Sequence, residues 1–173
     1  LTKSLENQTV QAEALAEIGR AVNSDLDVEA VYTAVADALE SLVNYDRFAI
    51  SLKTPERNTE RAFIRGVEAE NEGAGSLSSA VDRRADGSVL FGSASATRDS
   101  DTFASVGLQS WAEVPLGTAD NPIGFLSVRS SEPSAYSERD IALMHRVSAQ
   151  ITPAISNANL FAQSQALSEE REF

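Results

Sequence analysis

Two short segments of the sequence place a large aromatic ring beside a polar group at the two-residue spacing of an extended strand. Trp111 and Glu113 share one face of such a strand, and Phe125 and Ser127 share one face of another. An indole ring offers a broad apolar surface and one N–H donor, while a carboxylate pairs with cations and accepts hydrogen bonds. Trp111 and Glu113 therefore favour an amphiphilic ligand that is cationic or forms hydrogen bonds, and all four residues are candidate ligand contacts.

A third candidate pair, Phe48 and Ile50, repeats the same spacing on an earlier apolar strand. Buried strands of many globular domains show this pattern, so plain core positions are the stronger interpretation for both residues. Alternation alone does not tell which face of a strand meets helices and which meets a ligand. The six positions together form one ligand-binding hypothesis, and none of them is assigned a catalytic role.

The composition excludes most catalytic and metal chemistry. The 173-residue chain has no Cys and one His, so thiol nucleophiles, zinc-thiolate sites, thioether-linked chromophores and multi-histidine metal centres are excluded within one chain. His145 could serve as a single axial ligand to haem iron, but its place at the margin of an apolar stripe favours a surface or interface residue. We therefore predict no enzymatic activity, no metal and no cofactor.

The charge balance argues against nucleic acids and anionic membrane surfaces as partners. Lys and Arg total 14 against 26 Asp and Glu, which leaves a formal net charge of -12 that phosphate groups would repel. The sequence shows neither an apolar run of membrane-spanning length nor a leader-like segment. Because the chain opens at Leu1 without a Met, we expect a fragment of a longer cytoplasmic protein.

Hydrophobic periodicity predicts an α+β domain. Apolar and small residues three and four positions apart over 1–22 predict an N-terminal helix, which either pairs with another helix or packs on its own domain. A second helix is expected to begin at the N-cap Asp27, and the capping-box pattern of residues 137–140 predicts the start of a long final helix. Pro153 should kink that helix, because proline has no backbone N–H and crowds the preceding turn.

Between the helices, alternating patterns predict two antiparallel hairpins. The first combines Arg47–Leu52 with Arg61–Arg65, and the second combines Leu108–Leu116 with Ile123–Arg129. Pro115 is expected at an edge or irregularity of the sheet. The intervening segment 67–107 is weakly periodic and is expected to be a lid, a binding loop or a stretch with short helical turns at 79–84 and 101–106.

This order of elements resembles a GAF domain, and three motifs carry the resemblance. Ser110–Leu116 followed by Ile123–Val128 is similar to the family's S-x-x-x-V-P-L … I-G-x-L-x-x hairpin. Pro133–Asp140 is similar to the P-x-x-F-s-x-x-D segment before the last helix, and Ala149–Leu160 is similar to the Q-I-x-x-A-I-x-N-A-x-L pattern within it. The resemblance implies a GAF/PAS-like antiparallel sheet of about six strands flanked by helices. It also implies a ligand pocket on the free face of that sheet, roofed by the variable middle, and long N- and C-terminal signalling helices.

The resemblance also implies a division of the chain and a function. Residues 1–22 would form a connector or dimerisation helix, 23–160 the GAF domain, and 161–173 a connector to a fused effector module. Such a domain would be a non-catalytic sensor in a histidine kinase, nucleotide cyclase or similar protein. It would bind a small molecule and relay the signal through terminal helices paired in a homodimer. The alternative is a structural dimerisation and relay module without a ligand.

Known activities of the family narrow the choice of ligand without identifying it. Covalent bilin attachment and methionine sulfoxide reduction both depend on Cys residues, which this sequence lacks. Cyclic-nucleotide-binding members carry an N-K … F-x-x-x-D-E pattern. Here Ser130 and Ser131 stand in place of Asn and Lys, and Ile141 replaces the final Glu. We therefore disfavour cyclic nucleotides and leave the ligand unidentified.

Overall fold

The computed structural model describes residues 2–24, 28–53, 59–67, 83–92 and 107–171. The elements of these residues, in chain order, are α1 (Thr2–Ser24), α2 (Val28–Glu40), β1 (Arg47–Lys53), β2 (Thr59–Gly66), β3 (Val89–Phe91), β4 (Ser110–Gly117), β5 (Pro122–Ser130) and α3 (Glu138–Arg171). Three helices and five strands in this order make an α+β domain, as the periodicity predicts.

The strands form one antiparallel sheet in the order β2-β1-β5-β4-β3. Both predicted hairpins are present, β1 with β2 and β4 with β5. The first and last of the described strands, β1 and β5, pair with each other and join the two hairpins. The described residues contain five strands where the sequence analysis expects about six. Among the described strands, Trp111 and Glu113 lie on the fourth, and Phe125 and Ser127 lie on the fifth.

One face of the sheet packs against the helices and forms the hydrophobic core. Phe48 and Ile50 lie on this face and are fully buried. Further fully buried side chains of this core come from β4, β5 and all three helices, and they include Val114, Leu126, Val128, Val35, Leu39, Met144, Val147 and Ile151. Burial of this apolar surface is the main force that holds the helices on the sheet.

The N-terminal helix α1 packs against both α2 and α3. Ala14 and Ile18 are buried in the domain core, and the side-chain amide of Gln150 in α3 donates a hydrogen bond to the Leu15 carbonyl at 2.8 Å. The predicted packing of this helix on its own domain is therefore present. Pairing with a second copy of the chain stays a prediction.

The final helix begins at the predicted capping box. The Ser137 backbone N–H donates to the Asp140 carboxylate at 2.9 Å, and the Ser137 hydroxyl donates to the same oxygen at 3.3 Å. This carboxylate therefore satisfies the donors of the residue that precedes α3. Pro153 lies inside α3, at an exposed position.

Pro115 occupies a place in β4 where the sheet requires no donor. It pairs with Phe125 in β5 on one side, whereas β3 pairs only with the stretch from Trp111 to Glu113 on the other side. Proline at this position therefore leaves the β3–β4 hydrogen bonds intact, in agreement with the sequence expectation.

Several sequence expectations lie wholly or partly outside the described residues. These are the N-cap Asp27, the helical turn at 101–106 and most of the turn at 79–84. The last two residues of the latter, Arg83 and Arg84, are described and are not helical. Over the described parts of the chain, no helix is both long and apolar enough for a membrane crossing.

Candidate functional site

Four of the six predicted ligand contacts lie together on the sheet face opposite the helices. Glu113 pairs with Ser127 across β4 and β5, and the next pair on the same face is Pro115 with Phe125. Trp111 and Arg129 form the pair on the other side of Glu113 and Ser127. Directly opposed residues share a face, so these side chains form one surface, which we call the distal face.

Phe48 and Ile50 lie on the other side of the sheet. They pair with Val128 and Leu126, which belong to the helix-packed core. The six candidate residues therefore lie on two opposite faces of the sheet. Phe48 and Ile50 are core residues, and the remaining four occupy the distal face.

The distal face is buried although none of the helices of the core covers it. Trp111, Glu113 and Phe125 are 2%, 4% and 5% exposed, and Arg129 is 7% exposed. Ser127 is half-buried. Polar groups of this kind are seldom buried without partners, so their contacts define what the face can hold.

The centre of the distal face is occupied by the side chain of Arg83. Its guanidinium forms an ion pair with the Glu113 carboxylate, and its central carbon lies 4.0 Å from the centre of the Phe125 ring. It also donates a hydrogen bond to the Gly87 carbonyl at 3.0 Å. A planar cation is thus held between a buried carboxylate and the face of an aromatic ring, two interactions that both favour guanidinium.

Trp111 lies between its strand neighbours, Phe91 in β3 and Arg129 in β5. The Phe91 and Trp111 rings are stacked with centres 5.6 Å apart, and the Arg129 guanidinium lies 4.1 Å from the centre of the Trp111 ring. Trp111 Nε1 is buried, and it has no hydrogen-bond partner among the described residues. A buried donor of this kind is a natural contact for an acceptor atom of a ligand.

Arg83 belongs to a tight turn, Arg83–Ser88, which we call the bridging turn. The Gly87 N–H donates to the Arg84 carbonyl at 2.9 Å, and the Arg84 N–H donates to the Ser88 carbonyl at 3.0 Å. Gly87 has a φ of +82°, and a Cβ atom there would lie 2.9 Å from Cγ of Pro115. Glycine is therefore required both by the backbone conformation and by the close approach of the turn to β4.

The bridging turn also contacts the final helix. Arg84 forms an ion pair with Glu138, and Asp86 lies 3.1 Å from Nε2 of His145. The pKa of Asp86 is lowered, first by the hydrogen bond from the Ser88 hydroxyl and further by the backbone N–H of Ser88 and by His145. One short turn thus connects the distal face, through Arg83, to the first part of α3.

Sequence reasoning missed Arg83, Phe91 and Arg129. Arg129 continues the alternation of Phe125 and Ser127 by one further step, so strand periodicity could have included it. Arg83 and Phe91 come from the weakly periodic segment, where no local pattern shows which residues reach the sheet. Within the described ranges, no group of three or more His, Cys, Asp and Glu residues is arranged to hold a metal ion.

Comparisons with known proteins agree with this architecture. A family model described as a GAF domain matches residues 25–156. No curated protein matches the chain. Similar solved structures include a domain of a putative two-component sensor histidine kinase from Sinorhizobium meliloti, with a TM-score of 0.67 and 17% identity over 83% of this chain and 99% of that one.

Two further structures show the range of proteins with this fold. Free methionine-R-sulfoxide reductase from Neisseria meningitidis has a TM-score of 0.66 and 18% identity, over 87% of this chain and 90% of that one. The phycoerythrobilin-bound GAF domain of a cyanobacterial phytochrome has a TM-score of 0.67 and 16% identity, over 87% of this chain and 96% of that one. At such identities the likeness establishes a shared fold, and it assigns no ligand to this chain.

Proposed function

The chain belongs to the GAF domain family, and we propose that it is a non-catalytic sensory module that binds a small molecule at the distal face. Occupancy would be passed to the terminal helices and from them to a fused effector module. The bridging turn carries this proposal, because it contacts the distal face and α3 at the same time.

The first step of the proposed relay is a change at Arg83. A ligand that binds against Glu113 and Phe125 must either contact the Arg83 guanidinium or displace it. The turn is short and closed by its own hydrogen bonds, so movement of Arg83 would be felt at Arg84 and Asp86. A ligand that favours one of two arrangements of this turn provides a coupling free energy between the distal face and the first part of α3.

The second step runs through α3 into α1. Asp86 and Arg84 contact His145 and Glu138 near the beginning of α3. Further along the same helix, Gln150 is hydrogen-bonded to the backbone of α1. A shift of α3 would therefore alter the packing of both terminal helices.

The residues of the distal face support binding rather than catalysis. The chain has no Cys, and its one His lies beside Asp86 of the bridging turn instead of against Glu113 or Trp111. Glu113 is ion-paired with Arg83, an arrangement that suits its carboxylate to binding a cation. We therefore assign no catalytic residue.

The wider assembly is part of the same proposal. We propose a homodimer formed through the terminal helices, with residues 1–22 and 161–173 as connectors on either side of a domain over 23–160. A two-component or cyclase protein of the cytoplasm would supply the effector. The formal net charge of -12 supports partners other than nucleic acids and anionic membranes.

A ligand screen with two separate readouts tests the proposal. Trp111 is the sole Trp of the sequence, so its fluorescence reports on the distal face without a label. Amide hydrogen exchange in α3 reports on the relay. A sensor ligand from a library of metabolites and nucleotides should raise the melting temperature, alter Trp111 emission and change exchange in α3. Ligands that alter Trp111 emission but leave α3 unchanged would contradict the relay.

The filled distal face favours a second candidate function, a structural dimerisation and relay module. In that case Arg83 is a permanent part of the interior, and its contacts with Glu113 and Phe125 only hold the turn in place. This candidate predicts a dimer whose population depends on protein concentration, together with no response to any compound in the screen. Sedimentation at several concentrations, combined with the screen, separates the two.

A further inference from the structure

The geometry of the distal face points to a ligand class, and we propose that the ligand carries a planar cation of the guanidinium or amidinium type. This cation would take the place of the Arg83 side chain between Glu113 and Phe125. The inference rests on the proposed small-molecule function and specifies which chemistry the site would recognise.

The receptor for such a cation is already assembled. The Glu113 side chain, which carries the carboxylate, is 5% exposed, and the Phe125 ring lies against the guanidinium that this carboxylate binds. A planar guanidinium can donate two parallel hydrogen bonds to a carboxylate while it stacks flat on an aromatic ring, whereas a compact ammonium group matches neither geometry as well. The pair of contacts therefore discriminates by shape as well as by charge.

The present occupant is the part of the site that is best able to move. Glu113 and Phe125 lie on the adjacent strands β4 and β5, whose hydrogen-bonded register fixes their separation. Arg83 comes from a turn, and its side chain is 18% exposed compared with 5% for Glu113. Exchange of Arg83 for a ligand would therefore leave the receptor unchanged and free the bridging turn.

Neutralisation of the Glu113 carboxylate favours a cationic ligand over an anionic or neutral one. If Arg83 left the site without a replacement, Glu113 would lose the guanidinium that now pairs with its buried carboxylate, and removal of one partner from such a pair is strongly unfavourable. A cationic ligand restores that ion pair as it binds. An acceptor atom elsewhere on the same ligand could satisfy the buried donor Trp111 Nε1.

The test removes the internal cation and offers small probes in its place. The variant Arg83→Ala is titrated with N-methylguanidinium, with its neutral isostere N-methylurea, with the non-planar cation ethylammonium and with inorganic phosphate. We expect Arg83→Ala to bind N-methylguanidinium about tenfold or more tightly than the wild type, because the competing side chain is gone. The binding should raise the melting temperature of the variant and change Trp111 emission.

Matched variants separate this effect from general loss of charge. Arg146→Ala removes an exposed Arg of α3 and should bind the probe no better than the wild type. Glu113→Gln in the Arg83→Ala background should reduce the affinity for N-methylguanidinium at least to the wild-type level. If Arg83→Ala does not fold by itself, Arg83→Gln serves as the second variant, with the same expected order of probes.

Several outcomes would overturn the proposal. Equal binding of N-methylurea or ethylammonium would show that the site does not select a planar cation, and preferential binding of phosphate would assign it to anions. Failure of N-methylguanidinium to bind either Arg83 variant more tightly than the wild type would also overturn it. Library compounds that bind the wild type would still support the sensory function in each case, so the two proposals fail separately.

Discussion

The guanidinium carbon of Arg83 lies 4.0 Å from the centre of the Phe125 ring, although the two residues are far apart in the chain. Phe125 projects from a central strand, and Arg83 reaches it from the bridging turn. The contact therefore joins the part of the sheet that the sequence predicts well to the segment that it predicts least.

The Arg83–Phe125 contact should be measurable as a coupling energy. In a double-mutant cycle with Arg83→Gln and Phe125→Leu, we expect a coupling of about 1 kcal/mol in the free energy of unfolding, because a partly desolvated cation is held on an aromatic face. Urea denaturation of the four proteins supplies the data. A parallel cycle with Arg84→Gln and Phe125→Leu should give a coupling near zero, since Arg84 pairs with Glu138 at the surface. Equal couplings in the two cycles would contradict the assigned contact.

Replacement of Glu113 by Gln should destabilise the domain. The change preserves the shape of the side chain but removes the charge that pairs with Arg83, and we expect a loss of about 2 kcal/mol in the free energy of unfolding. Glu17→Gln, at an exposed position of α1, serves as the control and should alter stability by no more than about 0.5 kcal/mol. Similar losses in the two variants would argue against a structural ion pair at Glu113.

Gly87 lies in the bridging turn, and Gly107, which lies outside it, is a matched control for a substitution at Gly87. Both have positive φ angles, +82° and +81°, but a Cβ atom would contact Pro115 at Gly87 and would meet nothing within 4 Å at Gly107. Gly107→Ala should therefore cost about 1 kcal/mol from backbone conformation alone. Gly87→Ala should cost more in chemical denaturation and should also raise amide exchange in the turn. A smaller cost at Gly87 than at Gly107 would show that the turn does not pack against β4.

The hydrogen bonds that Asp86 accepts from Ser88 predict a dependence of stability on pH. The pKa of Asp86 is lowered from its ordinary value, chiefly by the Ser88 hydroxyl, so the folded state prefers the ionised form. Its stabilisation is therefore complete above the ordinary pKa of an aspartate, which applies to the unfolded chain, and is lost as the pH falls through the lower, folded-state pKa. Asp86 is half exposed, so solvent screening limits the contribution to about 0.5 kcal/mol.

The variant Asp86→Asn isolates this contribution. It should be less stable than the wild type near neutral pH, and the difference should shrink as the pH falls below the ordinary pKa of an aspartate. Urea denaturation at a series of pH values measures the difference. The control Asp120→Asn, in the exposed turn before β5, should differ from the wild type by no more than about 0.5 kcal/mol near neutral pH. A difference between Asp86→Asn and the wild type that stays constant with pH would contradict the role of this carboxylate.

Local periodicity was sufficient to predict most of the elements and part of the candidate site. Strand alternation and antiparallel pairing both follow from short-range pattern, and together they place four candidate residues on one face of the sheet. These residues are Trp111, Glu113, Phe125 and Ser127. The capping box at Ser137 is likewise a local signal. These features depend on neighbours in the sequence, so the sequence alone reveals them.

The remaining features depend on contacts between distant parts of the chain. Phe48 and Ile50 show the same alternation as the distal-face residues, and only the packing of α2 and α3 assigns them to the core. No local pattern marks Arg83 as the cation that pairs with Glu113, because the approach of the bridging turn to β4 brings the two together. Three-residue β3 is similarly too short to be recognised by alternation.

The position of Pro153 affects how movement can travel along α3. Proline has no backbone N–H, so one backbone hydrogen bond of α3 is missing at Pro153. This position is C-terminal to Glu138 and His145, the two residues that contact the bridging turn. A helix that lacks one backbone hydrogen bond bends more easily at that point than an uninterrupted helix. A movement of α3 that begins beside the sheet must pass this flexible point before it reaches Arg171. Bending of the helix at Pro153 is therefore favoured over translation of the whole helix along its axis.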